Sequence, residues 1–179
     1  MWCSRQLHMI DNNGGYMGKH QFYNAVWSFR HVRKGKVIWE EEKRNALVDQ
    51  GESSMLDTFF RGLNVPSEFY IRLARSTILD TSVLNDIANE PSGNGYAAAL
   101  IERSAVGFDT LELDEGDYRV ISKEVSFTAS GGDIGPISVA FLSTTSDNLG
   151  LLLAFVNLSL ERTILDGDSV YCRMRIKLQ

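Results

Sequence analysis

Cysteine is scarce in this chain: Cys3 and Cys172 are the only two in 179 residues, and they stand near opposite ends. Two thiols do not make the dense disulfide framework of a small secreted domain, so reduced cysteines are expected. Histidine is scarce too. His8, His20 and His31 all precede residue 32 and share no paired-ligand spacing with the cysteines, which argues against zinc. No stretch approaches the roughly 18 apolar residues of a membrane-spanning helix. The longest apolar run, Leu149 to Val156, is strand-length and contains Gly150. The opening MWCSRQLHMIDNNGG has neither the charged start nor the continuous apolar stretch of a secretory signal, so nothing directs export.

What is present fits one sizeable core: 44% of residues are hydrophobic and 23% charged, the composition of a soluble globular domain. The net charge of −5 is uneven. Residues 1–50 carry eight Lys/Arg against five Asp/Glu, a balance of +3, and the remainder carries ten against eighteen, a balance of −8. A polyanion wants a clustered basic face, so nucleic acid is not expected as the main partner.

The pattern divides the chain into an N-terminal arm, 1–21, and a single domain, 22–179. The arm contains the turn-former cluster DNNGGYMGK yet is unusually apolar. Trp2, Leu7, Met9, Ile10 and Tyr16 are its candidate anchors, either folded back on their own domain or ordered against a partner. A hairpin follows over 22–48. Tyr23, Ala25, Trp27 and Phe29 alternate with polar residues, RKGK turns the chain, and Val37 and Trp39 return on the inward face. Arg33, Lys34 and Lys36 at its tip are candidates to meet an acidic neighbour, and Glu40 to Glu42 with Lys43 and Arg44 mark a solvated edge. A helix is expected over 50–62. Asp49 and Glu52 have capping-box spacing, Met55, Leu56, Phe59, Phe60 and Leu63 form one apolar face packed on a sheet end, and Gly62 terminates it.

Strands fill 68–179: around Phe69–Leu73, then Tyr96–Glu102, Tyr118–Ala129, Ile137–Ser143, Leu149–Ser159 and Val170–Leu178, with a short helical turn between Ser82 and Ala88. In the last strand Val170, Cys172, Met174, Ile176 and Leu178 alternate with Tyr171, Arg173, Arg175 and Lys177. One face on a core and one face wet is an antiparallel property. The expected fold is therefore mainly β, an antiparallel β-sandwich with one short capping helix and an extended N-terminal arm.

Chemistry-bearing motifs are weak. GNGYAAALIER lacks the GK[ST] and the following helix of a phosphate loop, so Gly93 to Gly95 read as a turn entering a strand. LDGDS around Asp166 and Asp168 lacks the ligand ladder of a calcium loop and reads as a hairpin turn. Asp114 with Glu115, and Glu40 to Glu42, sit in charged stretches where solvation is the expected role. No GxSxG occurs. No cofactor or metal is expected, and no catalytic constellation stands out.

The order of the apolar helix reading LDTFFRG, the strand EFYIRLAR, NEPSGNGYAAALIER, EVSFTASGGDIGPISVAFLSTTS, LGLLLAFVNL and the closing DGDSVYCRMRIKLQ resembles a family of small virion proteins of tailed bacteriophages. That family carries a strand resembling YIGLHTA, a loop close to NEVSGGGYAR, an F-T-A-x-G-G segment and a final G-D-x-φ-x-φ strand, φ being apolar. The resemblance covers about residues 49–179; Arg72 stands where the family has glycine, and Ala98 where it has arginine. It implies a non-catalytic structural protein, tail- or fibre-associated, made in the host cytoplasm and located in the virion. Its expected partners are other virion proteins (tail, neck or capsid) and copies of itself, met through sheet edges and the arm. A capsid decoration or cement protein is the neighbouring alternative. A carbohydrate- or receptor-binding module is the alternative of another class, with Tyr16, Tyr96, Tyr118 or Tyr171 lining a groove for a host glycan.

Overall fold

The computed structural model describes residues 24–177. Two antiparallel sheets face one another as a β-sandwich. The first has strand order β2-β1-β11-β7-β6, with β8 also paired to β11; the second runs β3-β10-β9-β4-β5. Strands β1 (Asn24–Arg33) and β2 (Lys36–Arg44) form the expected hairpin, whose turn places Lys34 and Gly35 at positive φ. Strand β3 (Ala46–Leu47) then crosses to the second sheet and leads directly into α1 (Asp49–Leu56).

Alternation decides which side chains meet between the sheets. Ala25, Trp27 and Phe29 of β1 are buried, as are Cys172 and Met174 of β11 (Ser169–Lys177), and the register sets Trp27 opposite Met174 and Phe29 opposite Cys172. Ile71 and Leu73 of β4 (Glu68–Ala74) join the same cluster from the second sheet. So do Ala140 and Leu142 of β9 (Ile134–Ser143) and Ala154 and Val156 of β10 (Leu152–Ile164).

A second apolar cluster lies on the other side of the second sheet. Val139, Phe141, Leu152 and Phe155 pack there against Ile78, Leu84 and Ile87. The segment between β4 and β5 (Ala99–Glu102), with its 3-10 turn at Leu84–Asp86, is therefore a lid over that sheet. Burial on both faces explains why β9 and β10 read as near-continuous apolar runs.

Several element boundaries differ from expectation. Tyr118–Ala129 is two strands, β7 (Asp117–Ile121) and β8 (Val125–Thr128), preceded by β6 (Glu112–Asp114). Strand β5 begins at Ala99 because Asn94 and Gly95, both at positive φ, spend the preceding residues on a turn. Strand β10 starts later and runs on to Ile164. Tyr23 and Leu178 lie outside the described residues.

The helix needs the larger correction. Its N-cap is Val48, with no side-chain cap, and Asp49 instead uses its backbone N–H to reach Asp80 O at 2.8 Å. The helix continues as a π turn over Asp57–Arg61 and stops at Gly62, which is left-handed as expected. The buried positions are Gly51 and Ser54, not the apolar stripe. Gly51 lies so close to β10 that a Cβ there would stand 2.0 Å from Leu153 O. Small residues let the helix backbone sit on the strand, and that approach turns Met55, Leu56, Phe59, Phe60 and Leu63 to the outside.

Candidate functional site

The π turn carries the most exposed apolar aromatic pair among the described residues: Phe59 is 85% and Phe60 78% exposed, their ring centroids 5.5 Å apart. Leu56, Leu63 and Val65 extend the surface. A contiguous exposed apolar patch marks an interaction site, since water gives such groups no return. Behind the helix lies an apolar cavity of about 180 Å³, lined by Gly51, Ser54, Met55, Phe108, Leu153 and Ile176. A smaller exposed apolar group occupies the β6–β7 edge, where Leu113 stands opposite Tyr118.

The hairpin tip divides. Lys34 and Lys36 are exposed, but Arg33 is engaged within the chain. Its Nε donates to Asp168 Oδ2 at 2.9 Å and its Nη2 lies 2.8 Å from the same oxygen. The inward alternation of β1 continues to His31, whose Nε2 stands 3.0 Å from Asp168 Oδ2, both side chains almost fully buried. Asp168 is thus more than a turn residue: it ties the β10–β11 turn to β1. Hydrogen bonding from Arg33 holds its carboxyl below the ordinary value of 3.8, against the opposing effect of desolvation. The pair is closed to a substrate, so its work is structural.

A folded-state pKa below the unfolded one stabilises above the unfolded value, and the gain is lost as the pH falls through the folded value. Asp168→Asn is accordingly expected to lower the urea midpoint at about pH 6, with the difference shrinking progressively as the pH falls below the ordinary value of 3.8. A midpoint difference that ignores pH would contradict the assignment.

The candidate tyrosines do not form one groove. Tyr96 stacks on Phe127, with centroids 5.8 Å apart, and its hydroxyl donates to Glu90 Oε1 at 2.6 Å while accepting from Leu73 N at 2.9 Å. Burial and the Glu90 carboxylate raise its pKa far above the ordinary tyrosine value. Tyr171 lines a polar groove on the outer face of the first sheet with Ser28, Arg30, Glu40, Glu42 and Glu124. The Arg30 guanidinium lies 4.8 Å over its ring centroid, covering that face, and pairs with Glu124 at 3.0 Å. Tyr118 is exposed on β7. Glu41, from the run expected to be solvated, turns inward and accepts from Ser159 N at 3.1 Å.

Gly93 to Gly95 form a turn: Tyr96 N donates to Gly93 O at 2.9 Å and Asn94 Nδ2 to Asp133 O at 2.8 Å. Cys172 is buried between the sheets, and desolvation raises its thiol pKa well above the ordinary value. Among the described residues, no group of three or more His, Cys, Asp or Glu is placed to hold a metal ion, and no helix is long and apolar enough to cross a membrane. Trp2, Leu7, Met9, Ile10 and Tyr16 lie outside the described residues, as does Cys3.

No protein-family model matches this chain, and no curated protein does.

Proposed function

We propose that this protein is a non-catalytic structural component of a tailed-bacteriophage particle, tail- or fibre-associated, that works by packing against other virion proteins and against copies of itself. The observation that carries the reading is the exposed apolar face of α1 and its π turn, held on a stiff antiparallel sandwich. Exposed Phe59 and Phe60 contribute little to the fold that bears them, whereas two aromatic rings make strong anchors at an interface. The ordered resemblance over residues 49–179 supplies the kind of assembly. A capsid decoration role would use the same surface.

A second reading, a glycan-binding module, is favoured by the polar groove beside Tyr171. Content of purified particles separates the two classes. A structural component remains with the particle in a fixed ratio to its coat protein, and a free binding module does not.

A further inference from the structure

We propose that the cavity behind α1 is a binding site for a small aromatic molecule, a single ring carrying one hydroxyl or N–H. The site is independent of the assembly reading.

The cavity lies between the two sheets. Met174 and Ile176 of β11 form one wall, Leu153 and Ala154 of β10 the other, and α1 with its π turn lies over the gap. Its origin is in the sequence. Gly51 brings the helix onto β10, where a Cβ would stand 2.0 Å from Leu153 O. Beyond that contact the residues facing the gap are short, Ser54 and Ala154, and about 180 Å³ is left unfilled. Met174, Leu153 and Ala154 are buried, whereas Met55, Thr58, Pro66 and Phe108 are half-buried or exposed. The floor is therefore in the core, and the mouth opens beside the π turn.

Volume and lining set the ligand. Protein interiors hold few voids larger than a water molecule, so a gap of this size forfeits contacts that an occupant restores. Water is a poor occupant, because a buried water needs roughly 2–4 polar partners and the lining is almost wholly apolar. An engineered cavity of about 150 Å³ lined by Leu, Ile and Phe stays dry and takes up benzene. A single ring fits here in the same way. A drug-sized ligand, which needs about 300 Å³ or more, does not.

Thr58 adds the polar requirement. It lines the cavity from the π turn, and its Oγ1 is buried with no hydrogen-bond partner among the described residues. A buried hydroxyl left unpaired is costly, so a ring bearing one hydroxyl or N–H gains over a bare hydrocarbon by meeting it. π turns set within helices are frequent at functional sites.

Titration of the full chain with phenol and with toluene, read by calorimetry and ligand-observed NMR, tests the site. Both are expected to bind saturably, one per chain, with phenol about fivefold tighter. Ala154→Leu fills the cavity from β10 and is expected to weaken both at least about tenfold while the chain stays folded. Ile176→Phe fills it from β11 and gives the same reading should Ala154→Leu fail to fold. Thr58→Val is expected to leave toluene binding intact and to remove the advantage of phenol. No saturable binding of either ring overturns the proposal, and so does binding that persists unchanged in the filled variants. Phenol no tighter than toluene in the parent overturns the choice of ligand and the role of Thr58.

Discussion

Glu90→Ala is expected to lower the melting temperature by about 10 °C. The reason is Arg72, whose side chain is only 3% exposed. Its guanidinium is held on every side: Nε donates to Glu90 Oε1 at 2.9 Å, Nη2 bonds Glu90 Oε2, Nη1 donates to Asp147 O at 2.6 Å, and Nη2 reaches Asn148 Oδ1 at 2.8 Å. The ring of Phe141 lies 5.1 Å beneath it. Glu90 supplies the only carboxylate among these contacts. Removing it leaves a buried cation with neutral acceptors alone, which costs about 3–5 kcal/mol where such pairs have been broken. Replacing both partners, Arg72→Met with Glu90→Met, is expected to recover most of the loss, because the desolvation cost disappears with the charges. Thermal unfolding of the single and paired variants measures this. A single variant that melts with the parent, or a pair no better than the single, would contradict the account.

Gly51→Ala is the second large effect, and its sign is a contest. Alanine favours a helix interior over glycine by about 1 kcal/mol. Against this, the new methyl would lie 2.0 Å from Leu153 O and 2.8 Å from its carbonyl carbon. Neither obstacle is a side chain that can swing away. The helix must lift from β10, and forced overpacking costs about 1–3 kcal/mol, occasionally more. The clash wins, so net destabilisation at the upper end of that range is expected. Gly62→Ala is the control on the same helix. It has open space around its Cβ position and only a φ of +64° to oppose it, so a smaller loss is expected. If Gly51→Ala proves stabilising in thermal unfolding, the close approach of α1 to β10 is wrong.

These two sites also show where the sequence was readable. Period-2 patterning located β1, β4 and β11 because each turns one face to the core and the other to water or to polar partners. It gives no sign that Arg72 is buried. Alternation sends Arg72 away from the inter-sheet core, yet a lid over the second sheet buries that face, and its partner Glu90 lies eighteen positions along the chain. No local pattern announces a lid.

The helix misled in a related way. An apolar stripe normally marks the buried face. Here the buried face is the small-residue stripe Gly51 and Ser54, with Thr58 half-buried. Gly51 and Ser54 are three positions apart, which was the available signal of close packing. Once the small face takes the sheet, the stripe holding Phe59 and Phe60 has nowhere to go but outward. The candidate site was therefore legible as residues and illegible as a surface. Asp168 was hidden similarly, since a turn motif says nothing about burial against His31.

The proposed role as a structural part of a phage particle requires this chain to be present in purified particles. Particles are banded on a density gradient, washed at high salt, and this chain is quantified by peptide mass spectrometry against the coat protein. The account predicts a fixed ratio that survives the wash. A chain left at the top of the gradient and missing from the particles would contradict it.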